Sequence, residues 1–350
     1  MWFWLSIIAL ICWSGSDLFS KIGCRREGDK YSHFKMLTAV GVVMGIHAGY
    51  EIFFRNVEIS MEIIIQYLPV ALLYIVSMML GYISLRYIEL SISSPICNSS
   101  GAVAAVIAIV TMLIHGDADE FKNSGIWGIV GIIFVSAGVI ALGFVEANED
   151  EELRLKRQME GNRKYVKSAL AFILPIAYCI LDALGTFFDS QVIGNLTDTF
   201  AKRDATGSLK AVFANGIPEN VENISKNAEN FAALMEENAS SSANVAYELT
   251  FFVVGICSLI FLLIKKQRFI PKEECAKYTG ALFETAGQFA YVKAIANPDT
   301  LMYAAPIISS YCVASVLWSR IFLKEKLSAK HYLAILTAVV GIVILGVFDF

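Results

Sequence analysis

Four carboxylates stand inside long apolar runs of this chain: Asp17, Asp182, Asp189 and Glu284. An ionisable group in hydrocarbon costs roughly 3 kcal/mol at a helix centre, so such a residue marks a binding site or pathway by default. Asp17 has Lys21 one helical turn on, and mutual neutralisation explains that pair as well as a site would. Asp182 and Glu284 have no basic residue at i±3 or i±4. Low dielectric disfavours a lone carboxylate's charge, so these two are the first candidates to hold a proton or a substrate amine. Gln288 follows Glu284 by one turn, and Tyr291 is close by. Asp17, Asn98, Ser309 and Ser310 are second-rank cavity residues. Asp189, near the end of its run, is expected at the membrane interface.

Enzyme chemistry is poorly served. The histidines His33, His47, His115 and His331 are far apart, and no HExxH or GxSxG pattern is present. His47 reads as a hydrogen-bonded packing residue with no acid at helical spacing. The seven cysteines form no CxxC pair and read as small apolar packing residues. No catalytic residue, metal site or cofactor is expected, and no nucleic acid, because no basic face is evident.

The elements that would carry these residues are clear from composition. The chain has 350 residues, is 56% hydrophobic and only 17% charged, with mean hydropathy +0.59; a soluble protein carries about 25% charge. The apolar residues fall in ten blocks, about 3–23, 34–54, 63–85, 93–114, 126–145, 168–193, 247–264, 278–296, 301–321 and 331–348. A spanning helix needs about 20 such residues, and backbone polar groups in lipid must be satisfied internally. The expected fold is therefore an all-α integral membrane protein of ten transmembrane helices. MWFWLSII has no basic n-region and reads as the first span rather than a cleaved signal peptide.

Two weak repeats divide the chain. Trp13 and Asp17 match Tyr178 and Asp182 at an offset of 165; Pro95 with Asn98-Ser99-Ser100 matches Pro306 with Ser309-Ser310 at 211. The expected organisation is a first five-helix repeat at 1–145, a charged connector at 146–167, and a second repeat at 168–350 of opposite orientation. The second repeat would carry an extramembrane insertion at 195–246, with an amphipathic helix near 219–238 begun by Pro218 and lying on the membrane surface or over the pore mouth. Gly41, Gly45 and Gly49 make a stripe suited to close helix packing.

The hairpin from Ala304 to Val347 is the most specific stretch. Its first helix has Pro306 near the start, its turn holds Glu325, Lys326 and Leu327, and its last helix carries Gly341 and Gly346; Arg320 and Lys324 are extra charges. This hairpin resembles the end of an EamA-like repeat of the drug/metabolite transporter superfamily. The resemblance implies two inverted five-helix repeats around a central cavity. It also implies an alternating-access carrier, an exporter, for a small polar metabolite or drug, with a coupling proton or the substrate gradient as driving force.

Odd-numbered loops hold 21 of the 28 basic residues, so by the positive-inside rule both termini face outside. Relatives of this layout are usually drawn with both termini in the cytoplasm. The cell (plasma) membrane is the expected location. A different class, a non-transporting receptor or assembly protein, would use the 195–246 segment as its binding surface.

Overall fold

The computed structural model describes residues 1–24, 31–87, 96–115, 125–147, 169–215, 221–297, 300–322 and 327–347, and all regular structure among them is helical. The helices are α1 (Trp2–Cys24), α2 (Ser32–Phe53), α3 (Met61–Tyr87), α4 (Ser100–His115), α5 (Gly125–Ala147), α6 (Ala169–Asn215), α7 (Val221–Ile264), α8 (Pro271–Ala294), α9 (Leu301–Ser309), α10 (Tyr311–Phe322) and α11 (Ala329–Val347). The connector, Pro95, Pro218, Glu325 and Lys326 lie outside the described residues. Eight helical stretches are long and apolar enough to cross a membrane, α9 and α10 counting as one kinked crossing. Of the other two expected spans, α4 is shorter, and α8 carries Glu274, Lys277, Glu284 and Lys293.

Three expectations about these elements are corrected. The ninth span begins at Leu301, where the block 301–321 puts it, but Pro306 lies inside α9 rather than opening the helix, and the helix breaks at Ser310 before α10. Ser310 N–H is shared between the Pro306 and Ile307 carbonyls, both at 3.1 Å, which tightens the turn at the break. Nor is 195–246 a loop with its own surface helix. Its described residues continue α6 to Asn215 and begin α7 at Val221, so the helix expected near 219–238 is the first part of α7. Periodicity gave the helix but not its continuation into a span. Nor is this segment free surface throughout, because every residue from Ala239 to Glu248 is buried among neighbouring helices.

The bundle is polar within and apolar without. Ser6, Ser14, Ser16, Ser20, Thr38 and Ser77 are buried, while Ile8, Ile11, Ile46, Leu72, Val253 and Leu263 are exposed. With lipid as the outer solvent, small polar residues let helices approach and large aliphatic ones face the tails. The pairings have a two-fold pattern: α1 packs on α8 as α6 packs on α3, while α2 pairs with α7, α4 with α9 and α5 with α11. Exchanging the first five helices for the second set leaves this pattern unchanged.

The glycine stripe is used unevenly. A Cβ at Gly41 would lie 2.8 Å from Gly255 Cα and 2.8 Å from Phe251 O, so α2 and α7 meet backbone to backbone there. A Cβ at Gly45 would strike the Phe252 ring, whereas Gly49 faces open space.

The end of α7 offers a stability test. Gln267 N–H reaches Leu262 O at 3.0 Å and Lys266 N–H reaches Leu263 O at 2.9 Å, a Schellman cap with Lys266 at φ 52°. That left-handed backbone costs a non-glycine residue roughly 1–2 kcal/mol. Lys266→Gly should therefore raise stability by about 1 kcal/mol, read as a higher unfolding temperature in detergent.

Candidate functional site

Helices from both sets enclose a cavity of about 110 Å³, counted over the positions that water centres can occupy. α1 contributes Trp13, Ser16, Asp17 and Ser20; α3 contributes Tyr74, Met78, Gly81 and Tyr82; Cys97 and Ser100 come from the start of α4. Tyr178, Asp182 and Thr186 enter from α6, Tyr247 from α7, and Glu284, Gln288 and Tyr291 from α8. Ala305, Ile308, Ser309 and Tyr311 complete the wall at the α9–α10 break.

Six of the eight sequence candidates therefore converge: Asp17, Asp182, Glu284, Gln288, Tyr291 and Ser309. Asn98 and Ser310 do not line the cavity. Asn98 is 2% exposed, while Ser310 is fully buried and its hydroxyl turns back to Ile307 O at 2.5 Å. The 165-residue repeat is spatially meaningful, since Trp13, Asp17, Tyr178 and Asp182 all face the same space.

Asp182 has a hydroxyl partner from another helix. Ser100 Oγ donates to Asp182 Oδ2 at 2.7 Å, joining α4 to α6. Such a hydroxyl orients a carboxylate without neutralising it. Ser16 of α1 and Glu284 of α8 face the same cavity. No lysine, arginine or histidine is among the lining residues, whereas three carboxylates and seven aromatic rings are. Two buried N–H groups of the lining lack partners: Gln288 Nε2, on a residue 3% exposed, and Trp13 Nε1. Trp13 lies against Tyr291 with ring centroids 5.0 Å apart.

Asp189 corrects the expectation of an interfacial residue. It is fully buried, accepts Tyr67 O–H at 2.7 Å and Tyr74 O–H at 3.3 Å, and Tyr74 also pairs with the Tyr291 hydroxyl. Distance from the end of an apolar run misled here because α6 continues well past that run. The tyrosines are the main residues the sequence did not single out. Tyr67, Tyr74, Tyr82 and Tyr247 sit in apolar runs where an aromatic reads as core; a hydroxyl buried in a span was the available signal. Tyr67→Phe removes the shorter of the two bonds to Asp189, and loss of a buried bond to an acid costs about 1–3 kcal/mol. The expected result is a lower unfolding temperature in detergent without loss of membrane insertion.

His47 is also corrected. It has an acid at helical spacing, Glu51 one turn on, and a closer one on α7, Glu248. Among the described residues no group of three His, Cys, Asp or Glu side chains is arranged to hold a metal ion.

Comparison with known proteins agrees with this architecture. No curated protein matches the chain. A solved structure described as "Crystal structure of protein" superposes with a TM-score of 0.55 at 11% identity, covering 98% of this chain and 95% of its own. At that identity the likeness is one of fold. The EamA-like transporter family model matches residues 231–347, from within α7 to the end of α11. Ten helices in two inverted repeats are the usual layout of that family. The chain is a multi-pass helical membrane protein, and its residues 231–347 match the EamA-like transporter family of the drug/metabolite transporter superfamily.

Proposed function

We propose that the protein carries a small organic cation, an amine-bearing metabolite or drug, by alternating access. The observation that supports this reading is the lining of the cavity: three carboxylates, seven aromatic rings and no basic side chain. A cation is attracted to the face of an aromatic ring, by about 2 kcal/mol or more once desolvated, and a carboxylate in the same space adds charge-assisted hydrogen bonds. Asp182 and Glu284 bind the amine or a coupling proton, and Asp17 adds to the field. Gln288 Nε2 and Trp13 Nε1 are free to donate to an acceptor on the same molecule.

The helix pairing, unchanged when the two sets exchange, supports repeats at 1–145 and 168–350 that rock against each other around the cavity. The distribution of Lys and Arg supports termini on the outer face of the plasma membrane, and the carrier runs as an exporter.

Thermal unfolding of the detergent-solubilised protein tests the substrate class. The panel holds monoamines, tetraphenylphosphonium, neutral amino acids, sugars and anionic metabolites. A ligand specific to the folded state stabilises by mass action, about 2.7 kcal/mol at a hundredfold excess over Kd. Shifts confined to the cations support the reading and name compounds for liposome flux. A shift confined to anions overturns it.

A further inference from the structure

Behind the α7–α8 wall of the cavity lies a second group of ionisable side chains that the cavity does not use. His47 Nδ1 on α2 is 2.8 and 2.9 Å from the two carboxylate oxygens of Glu248 on α7. Its Nε2 is 3.9 Å from Glu51 Oε1, one turn along α2. Glu248 is fully buried and Glu51 is 3% exposed, whereas the His47 side chain keeps 28% of its surface open. From α8, Phe289 meets the imidazole edge-on at 5.5 Å. Lys293 lies over the same Phe289 ring at 5.1 Å, with Ser241 Oγ at 3.2 Å and Glu237 at 3.7 Å.

The charges around this group do not balance by themselves. Glu51 and Glu248 are two buried carboxylates, and Lys293 is the nearby cation on α8. Glu237 is more than half exposed and solvated, Arg55 adds a second positive charge felt at Lys293, and Tyr50 contributes only a neutral ring 6.4 Å from His47. A buried charge without a counter-charge costs several kcal/mol. A proton shared between the imidazole and the Glu248 carboxylate supplies what is missing, and partial exposure of His47 lets it come and go. Imidazole is the side chain whose charge changes near neutral pH.

We infer that His47, Glu248 and Glu51 form a proton-binding site outside the transport cavity, with Lys293 as the fixed cation beside it. The site stands back to back with the cavity. Glu248 follows Tyr247, Phe289 follows Gln288, and both Tyr247 and Gln288 line the cavity wall. α2 and α7 meet backbone to backbone at Gly41 and Gly255, and through the Phe252 ring at Gly45, nearer His47.

The test uses the full chain in detergent with histidine labelled at 13Cε1, and needs no transport substrate, so it stands or falls apart from the proposed cargo. His47→Gln identifies the His47 resonance among the four histidines. The expected result is a resonance that titrates between about pH 5 and 9 and whose midpoint is displaced by about one pH unit or more in Glu248→Gln. Glu51→Gln, which removes a more distant charge, gives a smaller displacement and serves if Glu248→Gln does not fold. A His47 resonance that stays fixed across this range overturns the inference. So does a midpoint that neither glutamate variant moves.

Discussion

Glu284→Gln is expected to weaken binding of a cationic probe such as tetraphenylphosphonium by about 10- to 100-fold while leaving the protein folded and inserted. Glutamine keeps the shape of the side chain and an oxygen that can accept a hydrogen bond, so the packing of α1 on α8 around residue 284 survives. What disappears is the negative charge. A hydrogen bond to a charged group contributes about 1.5–3 kcal/mol, and every 1.4 kcal/mol is a tenfold change in affinity. Aromatic attraction from Trp13, Tyr178, Tyr247 and Tyr311 remains, so binding should fall rather than vanish. Calorimetric titration of wild type and variant in the same detergent measures the ratio. Equal affinities would remove Glu284 from recognition, and a lower unfolding temperature without any change in affinity would assign it to structure alone.

Gly341→Leu is expected to lower stability by about 1–3 kcal/mol or more, the range for forcing atoms into a packed interior. A Cβ there would lie 2.5 Å from Val135 N and 2.8 Å from Gly131 O. Both are backbone atoms of α5, so no rotamer change can make room. The reciprocal contact has the same character: a Cβ at Gly138 would lie 2.5 Å from Ala338 N. Small residues on both faces let α5 and α11 touch along their length, the usual source of helix association in lipid. Leucine must push the helices apart. The loss is read as a lower unfolding temperature and a reduced yield of monodisperse protein. Leucine at Gly49, where a Cβ meets nothing within 4 Å, should be tolerated in the same assay.

Most of the architecture was legible in the chain because lipid imposes a strict rule. Unbroken apolar runs must be helices, and the hairpin at the end resembled the EamA-like family whose model matches residues 231–347. The site was partly legible for the same reason: Asp182 and Glu284 stand out because charge in an apolar run is costly, and both line the cavity. Elsewhere the local pattern was insufficient. Asn98 and Ser310 had suitable chemistry, but neither lines the cavity, and the Ser310 hydroxyl turns back to Ile307 O.

What the sequence determined by itself was the solvent of each segment, the helical state it forces, and the few charges that had to have a purpose. Tertiary structure alone decided which helices met. Asp189 receives two hydroxyls from α3, more than a hundred residues away, and His47 finds its closer acid on α7 rather than on its own helix. The physical reason is that spacing along one helix reports only neighbours three or four residues apart. A binding cavity or buried proton site is instead assembled by backbone contacts such as Gly41 on Gly255, between residues that share no sequence period.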